Sequence, residues 1–152
     1  MSSRPSSPSP TRGRRGARRL AVQALYRWQI AGGEAAFIVS EFLEEANAAQ
    51  IDRDYFRRLV STAIEDAGKL DALLEPCLDR PAAELDAVEH AVLLAGAAEL
   101  RDHPELAVSI VTNEAVELAK TFGAEGGHRY VNGVLDKLAA GLRPNEIKSS
   151  GG

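Results

Sequence analysis

At 152 residues, with 45% hydrophobic and 26% charged residues, the chain has the size and balance of one globular domain that buries about two-thirds of its extended surface. No apolar run approaches the ~20 residues of a membrane span, and the single cysteine, Cys77, excludes an internal disulfide and suits a reducing, cytoplasmic setting. The formal net charge of −4 conceals a division: Arg4, Arg12, Arg14, Arg15, Arg18, Arg19 and Arg27 place +7 on the first 29 residues without one acid, which leaves −11 on the rest.

Residues 1–13 are Ser, Pro, Gly and Arg with one Met and one Thr; with nothing to bury, they are predicted to form a disordered basic arm. The arm is Arg- and Ser-rich like a transit peptide, but its arginines run on into a helix with large apolar residues, and "LAVQALY" is too short for a signal-peptide core. The first helix is predicted from about Arg14 to Ile30, with Ala17, Ala21, Leu25 and Trp28 on its inner face and Gly32–Gly33 as its stop. A second begins near Glu34, with Phe37, Ile38, Phe42 and Leu43 inward. Asp52 caps a third, whose inward residues are Tyr55, Phe56, Leu59, Val60 and Ile64. A short segment with Leu70, Leu73 and Leu74 ends at Pro76, and "CLDRPAAELD" then connects two halves, 14–78 and 84–141.

Asp86 with Glu89 three residues on reads as a capping box opening a helix through Val88, Val92 and Ala95 to Leu100. "RDHPE" breaks it. Val108, Val111, Ala115, Leu118 and Phe122 follow at helical spacing, which overrides the β propensity of "VSIVT", and Gly123 stands where a left-handed residue is wanted. The last helix carries Tyr130, Val131, Val134, Leu135 and Leu138, and residues 142–152 read as a flexible tail. The chain is predicted to be all-α, with about seven helices in two stacked three-helix bundles.

Catalytic signatures are absent from the pattern. His90, His103 and His128 lack the companions of a metal site, "GAEGGH" is not followed by the Lys-Ser/Thr of a phosphate loop, and Cys77 has no neighbouring base. No metal, cofactor or enzymatic activity is expected.

The arginines point elsewhere. Arg15, Arg19, Gln23 and Arg27 recur at steps of four, and Arg14 and Arg18 are read as broadening that stripe. Positive charge near a helix N-terminus opposes the macrodipole by a few tenths to ~1 kcal/mol per group. The cluster is therefore expected to stay unmatched by the protein's own carboxylates until a polyanion binds. Arginine, used here without lysine, suits phosphate contacts and base stacking. Tyr26, one turn from Gln23, offers a stacking face for single-stranded RNA, or else packs in the core. Membrane binding is disfavoured by the Ala-rich apolar face.

Taken together, "RRGARRLAVQALYRWQ", "IDRDYFRRLV", "LDRPAAELDAVEHAVL", "NEAVELAKTFGAEGGHRYVNGVLDKLA" and the terminal "RPN" resemble the NusB family of bacterial transcription antitermination factors, from about Arg14 to Asn145. The resemblance implies a two-bundle helical domain over 14–141. It also implies binding of single-stranded boxA RNA with NusE, a small-subunit ribosomal protein, in an RNA polymerase antitermination complex that supports ribosomal RNA transcription. On this resemblance Arg14, Arg15, Arg18 and Arg19 fall on the RNA-binding arm. Tyr26, Lys120 and Phe122 fall on the RNA surface, Phe122 remaining accessible instead of closing its helix's inner face. Glu89 falls on the helix that faces NusE.

Departures from the family pattern, Leu94 for a basic residue, Ala98 for a tyrosine and Ala107 for a proline, are expected on the helices that meet NusE or a second copy in a homodimer. Gly126 replaces a common acid and is expected to strengthen RNA binding slightly. A similar domain heads certain ribosomal RNA cytosine methyltransferases, but with no Rossmann-type domain before Gly152 a stand-alone factor is expected. The alternative is a protein-interaction adaptor whose basic helix docks an acidic partner.

Overall fold

The computed structural model describes residues 9–45 and 50–150. Among them are eight α-helices and no strand: α1 Pro10–Ala31, α2 Ala35–Glu45, α3 Arg53–Glu65, α4 Ala67–Leu74, α5 Ala87–Asp102, α6 Val108–Phe122, α7 Gly127–Leu142 and α8 Pro144–Ser150. Two 3-10 turns, Glu75–Cys77 and Ala82–Glu84, carry the chain from α4 to α5. No helix of the described residues is long and apolar enough to cross a membrane.

Both ends of the domain lie further out than the sequence reading placed them. α1 begins four residues before Arg14, because Ser9 accepts a hydrogen bond from the Arg12 amide (3.2 Å) and Pro10 occupies the first turn, where its missing N–H costs nothing. The expected disordered arm thus loses residues 10–13 to the helix, and its first eight residues lie outside the described ones. At the other end the expected flexible tail contains α8. Arg143, just before it, donates to the carbonyl oxygens of Leu100 (3.1 Å), His103 (2.8 Å), Glu99 (3.4 Å) and Leu106, at the end of α5 and the corner beyond it; those of Glu99 and His103 also accept from the His103 and Leu106 amides. Glu146 accepts from the Val108 amide (2.7 Å), capping α6 in place of Ala107, which has no side-chain acceptor.

α5 is the axis of the molecule. Every residue from Ala91 to Leu100 is buried, and the helix packs against α1, α3, α4, α6 and α7. A helix apolar on all sides belongs in the core. This corrects the reading of Leu94 and Ala98: both are enclosed, so neither departure lies on a partner surface, whereas Ala107 is exposed. Asp86 opens α5 as predicted, accepting from the Val88 (2.9 Å) and Glu89 (3.2 Å) amides. Asp86→Ala is expected to cost about 1 kcal/mol in urea denaturation.

The buried faces of α1 and α3 follow the predicted spacing, with Ala17, Ala21, Leu25, Tyr55, Phe56, Leu59 and Val60 in the core. On α2 the core takes Ile38, Val39 and Leu43, while Phe37, expected inward, is 66% exposed. The left-handed glycine after α6 is Gly126 (φ 84°), not Gly123, whose backbone is extended.

Candidate nucleic-acid interface

The exposed side of α1 is built by Arg12, Arg15, Arg19, Gln23, Tyr26 and Ile30. Spaced three or four residues apart over five turns, they line one face of the helix. Arg12, Arg15, Arg19 and Gln23 edge a groove of about 420 Å³ whose far wall is Gln50 and Ile51. Gly16 lets that wall come close: a Cβ there would fall 2.9 Å from the Gln50 carbonyl oxygen and 2.7 Å from Ile51 Cγ2. The Asp52 amide donates to the Gly13 carbonyl (2.9 Å) and holds the approach.

Further along, the same face opens into a larger, mostly apolar cleft of about 730 Å³, lined by Gln23, Tyr26, Ile30, Phe42, Val88 and Phe122 among others. Tyr26 is 43% exposed. Phe122 serves both expectations: half-buried against the core, it also presents a face to the cleft. The Arg19 guanidinium lies 5.5 Å from the centre of the Phe122 ring. Stacking on the ring leaves its N–H edge available for a phosphate.

Not all the arginines belong to this face. Arg18 is 4% exposed. Its Nε reaches both carboxylate oxygens of Glu99 on α5 (2.8 and 3.0 Å), and the Tyr55 hydroxyl on α3 donates to the same carboxylate. Burial works against the Arg18 charge, but the Glu99 carboxylate outweighs it and raises the pKa above its ordinary value. Burial, then the charge of Glu99, pushes the Tyr55 phenol well above its usual range. The assignment of Arg18 to an RNA surface is therefore corrected: the side chain is enclosed in the core and its charge is already matched by Glu99. Arg14 lies on the same side of α1, its guanidinium 5.1 Å from the centre of the Tyr55 ring.

The expectation of an unmatched cationic helix holds for part of α1. Arg15 pairs with Glu114 (2.8 Å) and Arg27 with Glu41. Among the described residues Arg12, Arg14 and Arg19 have no carboxylate at ion-pair distance. With Arg15 64% exposed, its pair contributes about 0–1 kcal/mol, little enough for a phosphate to displace Glu114.

Lys120 is exposed, pairs with Glu117 (3.4 Å) and lies outside the walls of both clefts. Glu89 is half-buried beside Val88. Its carboxylate turns away from the capping position to Gly127, where an added Cβ would lie 2.5 Å from Oε1. Burial and the neighbouring Asp86 raise its pKa, against the pull of Arg80. The structure thus brings Arg15, Arg19, Tyr26 and Phe122 together and sets Arg18, Lys120 and Glu89 apart from them. It adds Arg12 and Gln23, which the sequence reading had not singled out as contacts. The described residues hold no cluster of three potential metal ligands.

Comparison with known proteins bears on what such a face does. Residues 15–140 match the NusB family. Transcription antitermination protein NusB of Nitrosospira multiformis is 50% identical over 130 residues, covering 86% of this chain and 82% of that protein. The protein of the same name from Hahella chejuensis is 45% identical over 137 residues, covering 90% and 92%. Among solved structures, antitermination factors NusB and NusE in complex with dsRNA include a chain 30% identical with a TM-score of 0.71, covering 84% of this chain and 96% of that one.

Proposed function

The chain belongs to the NusB family, and from that membership we propose that it is an RNA-binding transcription antitermination factor. It binds boxA-type single-stranded RNA together with the NusE ribosomal protein, in an RNA polymerase antitermination complex that supports ribosomal RNA transcription. The role is one of binding, not catalysis, exercised in the cytoplasm.

The observation that carries this reading is the continuity of one helical face, from the guanidinium groups of Arg12, Arg15 and Arg19 into the cleft between Tyr26 and Phe122. Phosphates lie along the arginine groove and an unstacked base enters the apolar cleft, where stacking on an aromatic ring contributes ~1–3 kcal/mol. Arg14 and Lys120 supply outlying charge. Glu89, half-buried in the first turn of α5, belongs to the NusE-facing side. Gly126 leaves that end of α7 without an additional acid.

A second reading, an adaptor whose basic helix docks an acidic partner, draws on the Arg15–Glu114 and Arg27–Glu41 pairs, which show α1 already accepting carboxylates. Fluorescence titration of a labelled boxA-like single strand and the corresponding duplex, with and without the NusE-type protein, separates the two. Tighter binding of the single strand on adding the partner, with a log–log salt slope of about −0.7 per phosphate neutralised, is the expected result. No gain from the partner and no salt dependence favours the adaptor.

A further inference from the structure

Gln23 is the residue shared by the basic groove and the apolar cleft. It is exposed, and its Nε2 donates to the carbonyl oxygen of Arg19, 3.3 Å away and one turn back. A carbonyl only accepts, so the nitrogen must face the helix. The amide is thereby oriented, and Oε1, with two free lone pairs, is presented away from the backbone at the junction of the two clefts. Of the other hydrogen-bonding side chains in the apolar cleft, Arg27 is held by Glu41 and Tyr26 offers a single hydroxyl.

Resting on the RNA-binding reading above, we propose that Gln23 is a specificity-determining residue: it reads the edge of the base that enters the Tyr26–Phe122 cleft. Arginine contacts to phosphate place the strand without distinguishing sequences, and a ring face stacks on every base. An oriented amide discriminates. Its exposed acceptor is complementary to an exocyclic amino group, as on cytosine or adenine, and meets a carbonyl oxygen unfavourably at the corresponding position of uracil. The interface accordingly divides its tasks: Arg12, Arg15 and Arg19 supply affinity, Tyr26 and Phe122 hold the base, and Gln23 selects it.

Labelled 12-nucleotide oligo(C) and oligo(U) test this, since the two bases differ at that position by an amino group against a carbonyl. The full chain is expected to prefer oligo(C) by about five-fold or more. Gln23→Ala is expected to bring the ratio to near one while the salt slope and the melting temperature stay unchanged, a combination that a merely structural role would not produce. Gln23→Glu, which keeps the acceptor and adds a negative charge, is expected to weaken binding of both RNAs and retain the preference. A ratio of one in the unmodified chain, or a preference that survives Gln23→Ala, overturns the assignment of Gln23. Failure of the unmodified chain to bind either RNA, alone or with the NusE-type protein, instead overturns the RNA-binding reading itself.

Discussion

Replacing Glu99 with alanine is expected to lower the unfolding free energy by about 3–5 kcal/mol, the cost of stranding one member of a buried ion pair. Arg18 is buried, with little contact with water through which to recover its solvation, and Glu99 is the carboxylate that neutralises it. The Tyr55 hydroxyl loses its acceptor in the same step. For a domain of this length the loss corresponds to a fall in Tm of about 6–20 °C, readable by urea or thermal denaturation. Arg18→Ala is expected to behave alike, since it leaves the carboxylate unpaired. The combination Arg18→Met, Glu99→Leu and Tyr55→Phe removes all three polar partners together and is expected to recover most of the stability. RNA affinity measured on that variant provides the decisive comparison: it should match the parent, because Arg18 is buried and turned toward Glu99 and Tyr55. A loss of affinity in the stable triple variant would return Arg18 to the interface.

The second large effect is on binding. Changing Arg12, Arg15 and Arg19 together to alanine is expected to reduce single-stranded RNA affinity on the order of 100-fold or more at low salt, since hydrogen bonds to charged groups each contribute about 1.5–3 kcal/mol. The log–log salt slope should flatten by about 2, at ~0.7 for each phosphate no longer neutralised. All three side chains are exposed, so circular dichroism and melting should change little. Removing cationic charge from the start of α1 relieves its conflict with the helix macrodipole. Glu114→Gln should act in the opposite direction, tightening RNA binding by releasing Arg15 from its surface partner. Unchanged affinity in the triple variant would sink the assignment of this face to RNA.

The helical order and most of the core were legible in the spacing of apolar residues, because a period of 3.6 survives without knowledge of what lies opposite. The division among the arginines was legible too, but by angle and not by sign. Arg14, Arg18, Ala21 and Leu25 are separated by four, three and four residues, which places Arg18 in line with two core positions. Grouping it with Arg15 and Arg19 because all are cations put a core residue on the surface. Its partner had a signal of its own: Glu99 is the lone acid of the apolar run "AVLLAGAAEL", and a charge in such a run calls for a buried counterion. Which cation answers it is a tertiary fact that one helix cannot reveal. Ser9–Pro10 and Arg143–Pro144 are both recognisable helix openings that compositional reading of the termini passed over. The close approach at Gly16 and the joining of Tyr26 to Phe122, nearly a hundred residues apart, depend on packing and leave no local trace.

The anchoring of Arg143 at the end of α5 has a consequence for synthesis. The middle helix of the molecule is made before α6 and α7, but the Leu100 carbonyl at its end, the Leu106 carbonyl beyond it and the first amide of α6 receive their partners from residues 143 and 146. Those residues follow α7 in the chain and leave the ribosome only after it. The nascent domain therefore carries an unfinished centre while two further helices are translated, and closing of the native structure waits on its final turns.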